Sequence, residues 1–189
     1  NTTYALDDKR LESFLRDTQP DLVRTSRVFD NAVNRRKFLE RVRDEITKRG
    51  VVDVLRKGIK HLSNSTFFLY SPYPSELSEV GKRLYKLNKF TVIRQLHYSK
   101  NNAQLSIDVV LFINGLPVVT MELKNQLTVQ NTGDAIRQYR TDRDPKDLLF
   151  MHKRCAVHFA VDDVDVQMCT KLCGLDSWFL PFNKGVDDG

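Results

Sequence analysis

The sequence predicts an α/β (α+β) fold in which a mixed central β-sheet is flanked by helices. Apolar residues recur at helical spacing as far as about residue 87, and from residue 90 onwards apolar runs of strand length take over. One short helical pattern lies between the third and fourth of those runs. No repeat, low-complexity tract or linker divides the chain, so we expect residues 1–189 to form a single domain.

The helices of the first half are predicted from apolar positions that share one face. Leu11, Phe14 and Leu15 define the first helix, and a second occupies residues 38–49 before Gly50 ends it. Further helices are predicted at residues 51–62 and 76–87, with a short strand at residues 67–70 between them.

The second half is predicted to form the sheet. Its strands are expected at residues 90–96, 105–113, 118–124, 156–161 and 164–170, with a helix at residues 135–140. A mixed sheet flanked by helices follows from this order of elements.

Composition restricts the classes of partner and compartment. The formal net charge of +6 favours an anionic partner without identifying it. Three cysteines are too few and too unevenly placed for a disulfide framework, so we expect reduced thiols in a cytoplasmic protein. No stretch approaches the roughly 20 apolar residues that a membrane helix needs, so no membrane partner is expected.

The cysteines also raise the question of a zinc site. Cys155, His158, Cys169 and Cys173 are the candidate ligands. Structural zinc sites usually use closer Cys-x-x-Cys pairs, and these residues alternate with strand apolars. Buried thiols and a hydrogen-bonded histidine are therefore the preferred interpretation.

Three charged residues interrupt the most apolar strands of the chain. Asp108 lies between Ile107 and Val109, and Glu122 and Lys124 are separated by one residue. Because side chains alternate along a strand, Glu122 and Lys124 share one face. Charges among strand apolars are costly unless they are paired or bound to a metal. An exposed salt bridge between Glu122 and Lys124 is the structural alternative.

A magnesium site explains this combination of residues. Mg²⁺ prefers one or two carboxylates and completes its octahedral shell with water and phosphate oxygens. Asp108 and Glu122 are the predicted carboxylate ligands, and the carbonyl oxygen of Leu123 is a further candidate. The ammonium group of Lys124 is placed to stabilise the negative charge that develops on a phosphate during cleavage.

The segment around these residues also resembles a known family. In residues 107–125 an Asp-containing strand leads through Asn-Gly-Leu-Pro to Glu-Leu-Lys, which resembles the nuclease motif of type I restriction endonuclease restriction subunits. Similar segments flank it at residues 92–95, 138–140, 143–145, 157–162 and 179–183. The resemblance implies a PD-(D/E)xK nuclease fold with Asp108, Glu122 and Lys124 at its signature positions. It also implies Mg²⁺-dependent cleavage of double-stranded DNA, in a complex with methylation and specificity subunits.

The sequence departs from the family pattern in three respects. Some members carry a Gln followed four residues later by Tyr; Gln138 matches the first position as a catalytic residue, but Asp142 stands at the second and Tyr139 follows Gln138 directly. Members also have an acidic residue on an upstream helix, which we expect to be missing here, so Glu12 is not assigned to that role. The family's subunits continue into an ATP-driven translocase, and no phosphate-binding Gly-x-x-x-x-Gly-Lys-Ser/Thr loop occurs in this chain, so ATP would serve motor domains outside it.

The helix that follows Lys124 is the predicted DNA contact. Arg137, Arg140 and Tyr139 are assigned to it because this helix comes directly after the catalytic strand. A solvated helix face is the alternative for the two arginines.

Two other functions remain open at this point. One is a repair or recombination nuclease of the same fold, and the other is a catalytically silent DNA-binding or assembly module in which the triad survives only as structure.

The hairpin between the two catalytic strands carries one further prediction. A regular two-residue turn at Asn114-Gly115 would place Asp108 opposite Met121, on the face away from Glu122. Pro117 cannot donate a ladder hydrogen bond. We therefore expect a connection of three or five residues, or an equivalent bulge, that brings both carboxylates to one point.

Overall fold

The computed structural model describes residues 1–62, 65–75, 77–125, 127 and 129–182. Chain packing divides them into two compact units, one formed by residues 1–91 and 112–117 and the other by residues 92–111 and 118 onwards. The expectation that residues 1–189 form a single domain remains a prediction.

The first unit contains most of the helices. Its elements are α1 (Asp8–Thr18), α2 (Pro20–Ser26), α3 (Ala32–Arg49), α4 (Val51–Lys57), β1 (Ile59–His61), β2 (Ser65–Phe67) and α5 (Glu79–Lys86). Side chains cap three of the helices at their N-termini, since Asp7, Asn31 and Ser78 accept hydrogen bonds from backbone N–H groups of the first turn. The apolar faces of α1 and α3 are buried as predicted, whereas no residue of α5 is buried. Phe38 packs edge-on against Phe67 with ring centroids 4.9 Å apart.

The predicted elements of this unit differ from the structure in four places. The helix expected at residues 51–62 ends at Lys57, and the chain then forms β1, because Gly58 has a φ of 66° that a helix does not allow. Helix α2 was not predicted, although Pro20 at its first turn is a common start signal. The strand expected at residues 67–70 lies at β2 instead, and α5 begins three residues later than predicted, with Glu76 outside the described residues.

The mixed six-stranded sheet confirms the predicted fold class. Its strands are β3 (Phe90–His97), β4 (Ser106–Ile113), β5 (Leu116–Leu123), β6 (Val157–Val161), β7 (Val166–Cys169) and β8 (Leu180–Pro181), arranged in this order across the sheet. Helix α6 (Thr132–Thr141) connects β5 to β6, which are parallel, whereas β6 with β7 and β7 with β8 are antiparallel. Two parallel strands need a crossover connection, and α6 provides it between β5 and β6. The helix predicted at this position therefore accounts for the parallel pair in an otherwise antiparallel part of the sheet.

The turn between β4 and β5 is shorter than predicted. It consists of Asn114 and Gly115, whose φ angles of 50° and 83° are those of the tight turns that close hairpins. The expectation of three or five residues was therefore wrong, because Pro117 follows a two-residue turn instead of forming part of a longer one.

A bulge after the turn has the predicted effect on the strand. In a two-residue hairpin the backbone N–H and C=O of Leu116 point towards Ile113 on β4. In a regular strand every second residue points the same way, so the backbone groups of Val118 would also face β4. Instead the carbonyl of Val118 accepts a hydrogen bond of 2.9 Å from the N–H of Ala156, on the β6 side. The alternation thus shifts by one residue at Pro117, which has no N–H to lose from the ladder.

This shift changes which residues share a face. Counting outward from the turn with Pro117 as the extra residue, Asp108 falls opposite Glu122. The equivalent bulge that the sequence predicts is therefore present, although the turn itself is not the one expected.

Gly115 provides the first stability prediction. A Cβ atom there would lie 2.2 Å from the backbone oxygen of Asp7, and the φ of 83° is unfavourable for any other residue. Gly174 has a similar φ of 61°, yet a Cβ atom there meets nothing closer than 3.9 Å. We expect Gly174→Ala to cost about 1–2 kcal/mol and Gly115→Ala clearly more, as measured by urea unfolding. Equal losses in the two variants would contradict the close approach at Gly115.

Candidate active site

Asp108 is held by hydrogen bonds to both of its carboxylate oxygens. Oδ1 accepts from Nε2 of Gln95 (2.9 Å), and Oδ2 accepts from the backbone N–H of Leu123 (2.9 Å). Gln95 has a φ of 49° inside β3, and its Oε1 accepts from Oγ of Ser106 (3.1 Å). This left-handed residue in a strand is the kind of local strain that often marks a functional site.

The bond to Leu123 shows where β4 and β5 stop pairing in the usual way. The N–H of Lys124 donates to the carbonyl of Val161 on β6 (2.8 Å), so the N–H of Leu123 points to the opposite side, towards β4. There it meets the Asp108 carboxylate. In a β-strand the N–H and the carbonyl of one residue point to the same side. The carbonyl of Leu123 therefore also points towards β4, on the side where Asp108 lies.

Glu122 is a fully buried carboxylate with one paired oxygen. Its Oε1 accepts a hydrogen bond from Nε of Arg143 (2.6 Å) and forms an ion pair with Nη2 at the same distance, whereas its Oε2 has no hydrogen-bond partner among the described residues. Burial raises the pKa of the Glu122 carboxyl to about 7 against the opposing effect of Arg143, and the nearby Asp108 carboxylate adds to the rise. Asp108 and Glu122 are thus brought together, as the sequence predicts.

Arg143 is the partner of Glu122 that sequence reasoning missed. Its side chain is only 5% exposed, although the residue follows α6 in a connecting segment. Nη1 donates to the hydroxyl of Tyr98 (3.4 Å), and the guanidinium lies 5.7 Å from the centre of the Tyr98 ring. Tyr98 in turn packs edge-on against Phe150, with ring centroids 4.7 Å apart. These contacts define both the position and the orientation of the cation.

Lys124 and Gln138 form the second half of the site. Nζ of Lys124 donates to Oε1 of Gln138 on α6 at 2.6 Å. The two side chains line a polar pocket of about 280 Å³, to which Arg137 and Asp134 also contribute. The structure therefore joins the predicted lysine to the predicted glutamine, and Lys124 does not use its charge in a salt bridge with Glu122, whose cationic partner is Arg143.

The three predicted DNA contacts have different outcomes. Arg137 is exposed and pairs with Asp134 at 2.6 Å, so its role in DNA binding stays a prediction. Arg140 is half-buried and donates twice to the backbone oxygen of Ser177 (3.1 and 2.8 Å), which is a structural role. Tyr139 is fully buried, so its assignment to DNA was wrong.

Tyr139 instead belongs to a buried polar network next to β5. Its hydroxyl lies 2.9 Å from Oγ1 of Thr120, which also lies 2.7 Å from Nδ1 of His158. Burial lowers the pKa of His158 to about 4 and raises that of Cys155 to about 12. Both residues therefore have the buried, uncharged character that the sequence predicts for them.

The neutral histidine makes a pH-dependent contribution to stability. Since the pKa of His158 is about 4 in the fold and near 6.5 in the unfolded chain, its contribution is complete above pH 6.5. It is lost as the pH falls from 6.5 towards 4, by up to about 3 kcal/mol. The difference in unfolding free energy between wild type and His158→Asn should show this slope. The control is His97→Asn, because His97 is exposed. If the unfolding free energy of His158→Asn depends on pH in parallel with that of the wild type, the prediction is refuted.

Residues of the site fit a hard divalent cation. Glu122 Oε2 is a buried carboxylate oxygen without a hydrogen-bond partner in the described part of the chain, and a second carboxylate lies beside it. Such an oxygen is costly to bury unless a cation or a proton satisfies it. Across the described ranges no three His, Cys, Asp or Glu side chains converge on one point. Two carboxylates and the Leu123 carbonyl are the set that Mg²⁺ accepts, since it fills its other positions with water and phosphate.

The fold and the site together define the class of protein. A mixed α/β sheet with an acidic pair and a lysine on neighbouring strands is compatible with a restriction-endonuclease-like fold. The family model for the type I restriction enzyme R protein N terminus matches residues 5–176, so the chain belongs to this family. A comparison with curated proteins finds no significant match.

Family membership makes this chain part of a restriction system that acts on DNA. No helix within the described residues is long and apolar enough to cross a membrane.

Proposed function

We propose that this chain is the Mg²⁺-dependent endonuclease portion of a type I restriction enzyme and cleaves double-stranded DNA. The observation that carries the proposal is the buried oxygen of Glu122, which has no hydrogen-bond partner within the described ranges and lies beside the Asp108 carboxylate. Asp108 and Glu122 would hold Mg²⁺, with the Leu123 carbonyl as a third ligand. When bound, the ion polarises the scissile phosphate and lowers the pKa of the attacking water.

The chain's own residues then position the DNA backbone and stabilise charge. Lys124, two residues from Glu122 on the same strand face, offers an ammonium group to the phosphate as its negative charge increases. Gln138 accepts a hydrogen bond from that ammonium and so fixes its direction. Arg137, at the same pocket, is the proposed contact for a neighbouring phosphate.

Sequence recognition and DNA delivery belong to other parts of the assembly in this proposal. The net charge of +6 supplies only sequence-independent attraction. Methylation and specificity subunits, and ATP-driven motor domains, are the proposed partners that bring the DNA to the site.

Plasmid cleavage by the complete restriction complex tests the proposal. We expect Lys124→Ala to abolish cleavage in Mg²⁺ and ATP, and the exposed Lys171→Ala to cleave like wild type. Wild-type cleavage by Lys124→Ala would favour a catalytically silent module. Cleavage that needs neither ATP nor companion subunits would favour a repair nuclease of the same fold.

A further inference from the structure

Arg143 holds Glu122 in an asymmetric way. Two guanidinium nitrogens, Nε and Nη2, both lie 2.6 Å from the same carboxylate oxygen, Oε1, and Nε donates a hydrogen bond to it. The usual arginine–carboxylate pair is bidentate, with one nitrogen for each oxygen. Here the second oxygen, Oε2, receives no hydrogen bond from any described residue although it is buried.

The contacts of Arg143 with Tyr98 favour the orientation in which it is found. Its third nitrogen, Nη1, is directed to the Tyr98 hydroxyl, and the guanidinium lies beside the Tyr98 ring. The ring is itself packed against Phe150. Both charged groups are buried, and a bidentate pair would give each carboxylate oxygen a donor, so the pairing observed leaves Oε2 unsatisfied by Arg143.

We propose that Arg143 is a positioning residue that binds Glu122 through one oxygen and leaves the other directed towards the divalent cation. This inference rests on the proposed function, because it assigns a role to Arg143 only if Asp108 and Glu122 bind a metal. Residues that orient metal ligands in this way often affect metal affinity by 10- to 100-fold although they do not touch the ion.

Arg143→Lys is the most informative variant. It keeps the buried positive charge beside Glu122, and with it the charge balance of the core, but an ammonium lacks the planar fork that places two donors on one oxygen. Arg143→Met removes both the charge and the donors. Arg49→Met is the matched control, because Arg49 also pairs with a buried carboxylate, Glu45 (2.7 Å), and belongs to the other compact unit.

The measurement is Mn²⁺ binding followed by the electron paramagnetic resonance signal of the free ion, with circular dichroism as the test of folding. We expect Arg143→Lys to weaken Mn²⁺ binding about 10-fold, Arg143→Met to weaken it further, and Arg49→Met to bind like wild type. Wild-type affinity in a folded Arg143→Lys or Arg143→Met protein would overturn the proposal. If the wild type itself binds no Mn²⁺, the proposed function fails before the role of Arg143 is in question.

Discussion

Asp108→Asn is expected to reduce DNA cleavage by the assembled complex by a factor on the order of 10³ or more, while ATP-driven translocation continues. The substitution keeps the size of the side chain but replaces one oxygen by an amide nitrogen. Both Asp108 oxygens accept hydrogen bonds, one from Gln95 and one from the Leu123 N–H. The amide NH₂ of an asparagine would face one of these N–H donors, and the loss of the negative charge would weaken the metal site.

Glu122→Gln should reduce DNA cleavage to the same extent. The double variant Asp108→Asn with Glu122→Gln should cleave no more slowly than either single variant. The two carboxylates serve one metal–phosphate site, and losses in such a unit are strongly non-additive. Plasmid cleavage and ATP turnover, measured on the same preparations, separate nuclease from motor. Asp176→Asn, at an exposed position, is the control for the loss of an acidic residue. Retained cleavage in Asp108→Asn would remove that residue from the mechanism.

Arg143→Met is expected to destabilise the fold by about 3–5 kcal/mol, because it leaves the Glu122 carboxylate buried without its cation. Glu122→Leu should be costly for the converse reason, since the guanidinium is then unpaired. The double variant removes both charges and should recover most of the loss.

Urea unfolding of the four proteins at pH 8 with a chelator measures this coupling directly. The pH is chosen above the Glu122 pKa of about 7, so that the carboxyl is charged in the wild type, and the chelator removes any cation that substitutes for Arg143. If the losses of unfolding free energy in Arg143→Met and Glu122→Leu simply add in the double variant, the two side chains do not stabilise each other.

The regular parts of this fold were predictable because their signals are local. Alternating apolar residues identified β3 to β7, and the shared face of Leu11, Phe14 and Leu15 identified α1. The helix at residues 51–62 failed for an equally local reason. Its apolar spacing continues past Gly58, but a positive φ at this glycine turns the chain into β1.

The candidate site was predictable where charge interrupts a strand. Asp108, Glu122 and Lys124 are conspicuous among apolar neighbours, and a single residue separates Glu122 from Lys124. The bulge at Pro117 was anticipated in its effect but not in its form, since proline is compatible both with a longer turn and with an interrupted ladder.

Arg143 could not be found in this way. Its partner Glu122 is 21 residues away in sequence, and although residues 143–145 resemble the family, that resemblance gives Arg143 no role among the 30 lysines and arginines of the chain. A physical signal was that a buried Glu122 needs a cation, but this requirement does not say which cation. Tyr139 misled for a related reason, because the position of a tyrosine on a helix does not reveal whether its hydroxyl meets solvent or, as here, Thr120.

Calorimetric titration with Mn²⁺ is the most direct test of the claim that Asp108 and Glu122 form a metal site. We predict that the wild-type chain binds one divalent ion, and that Asp108→Asn and Glu122→Gln bind none under the same conditions. Binding of the same stoichiometry and affinity in Asp108→Asn would contradict the account.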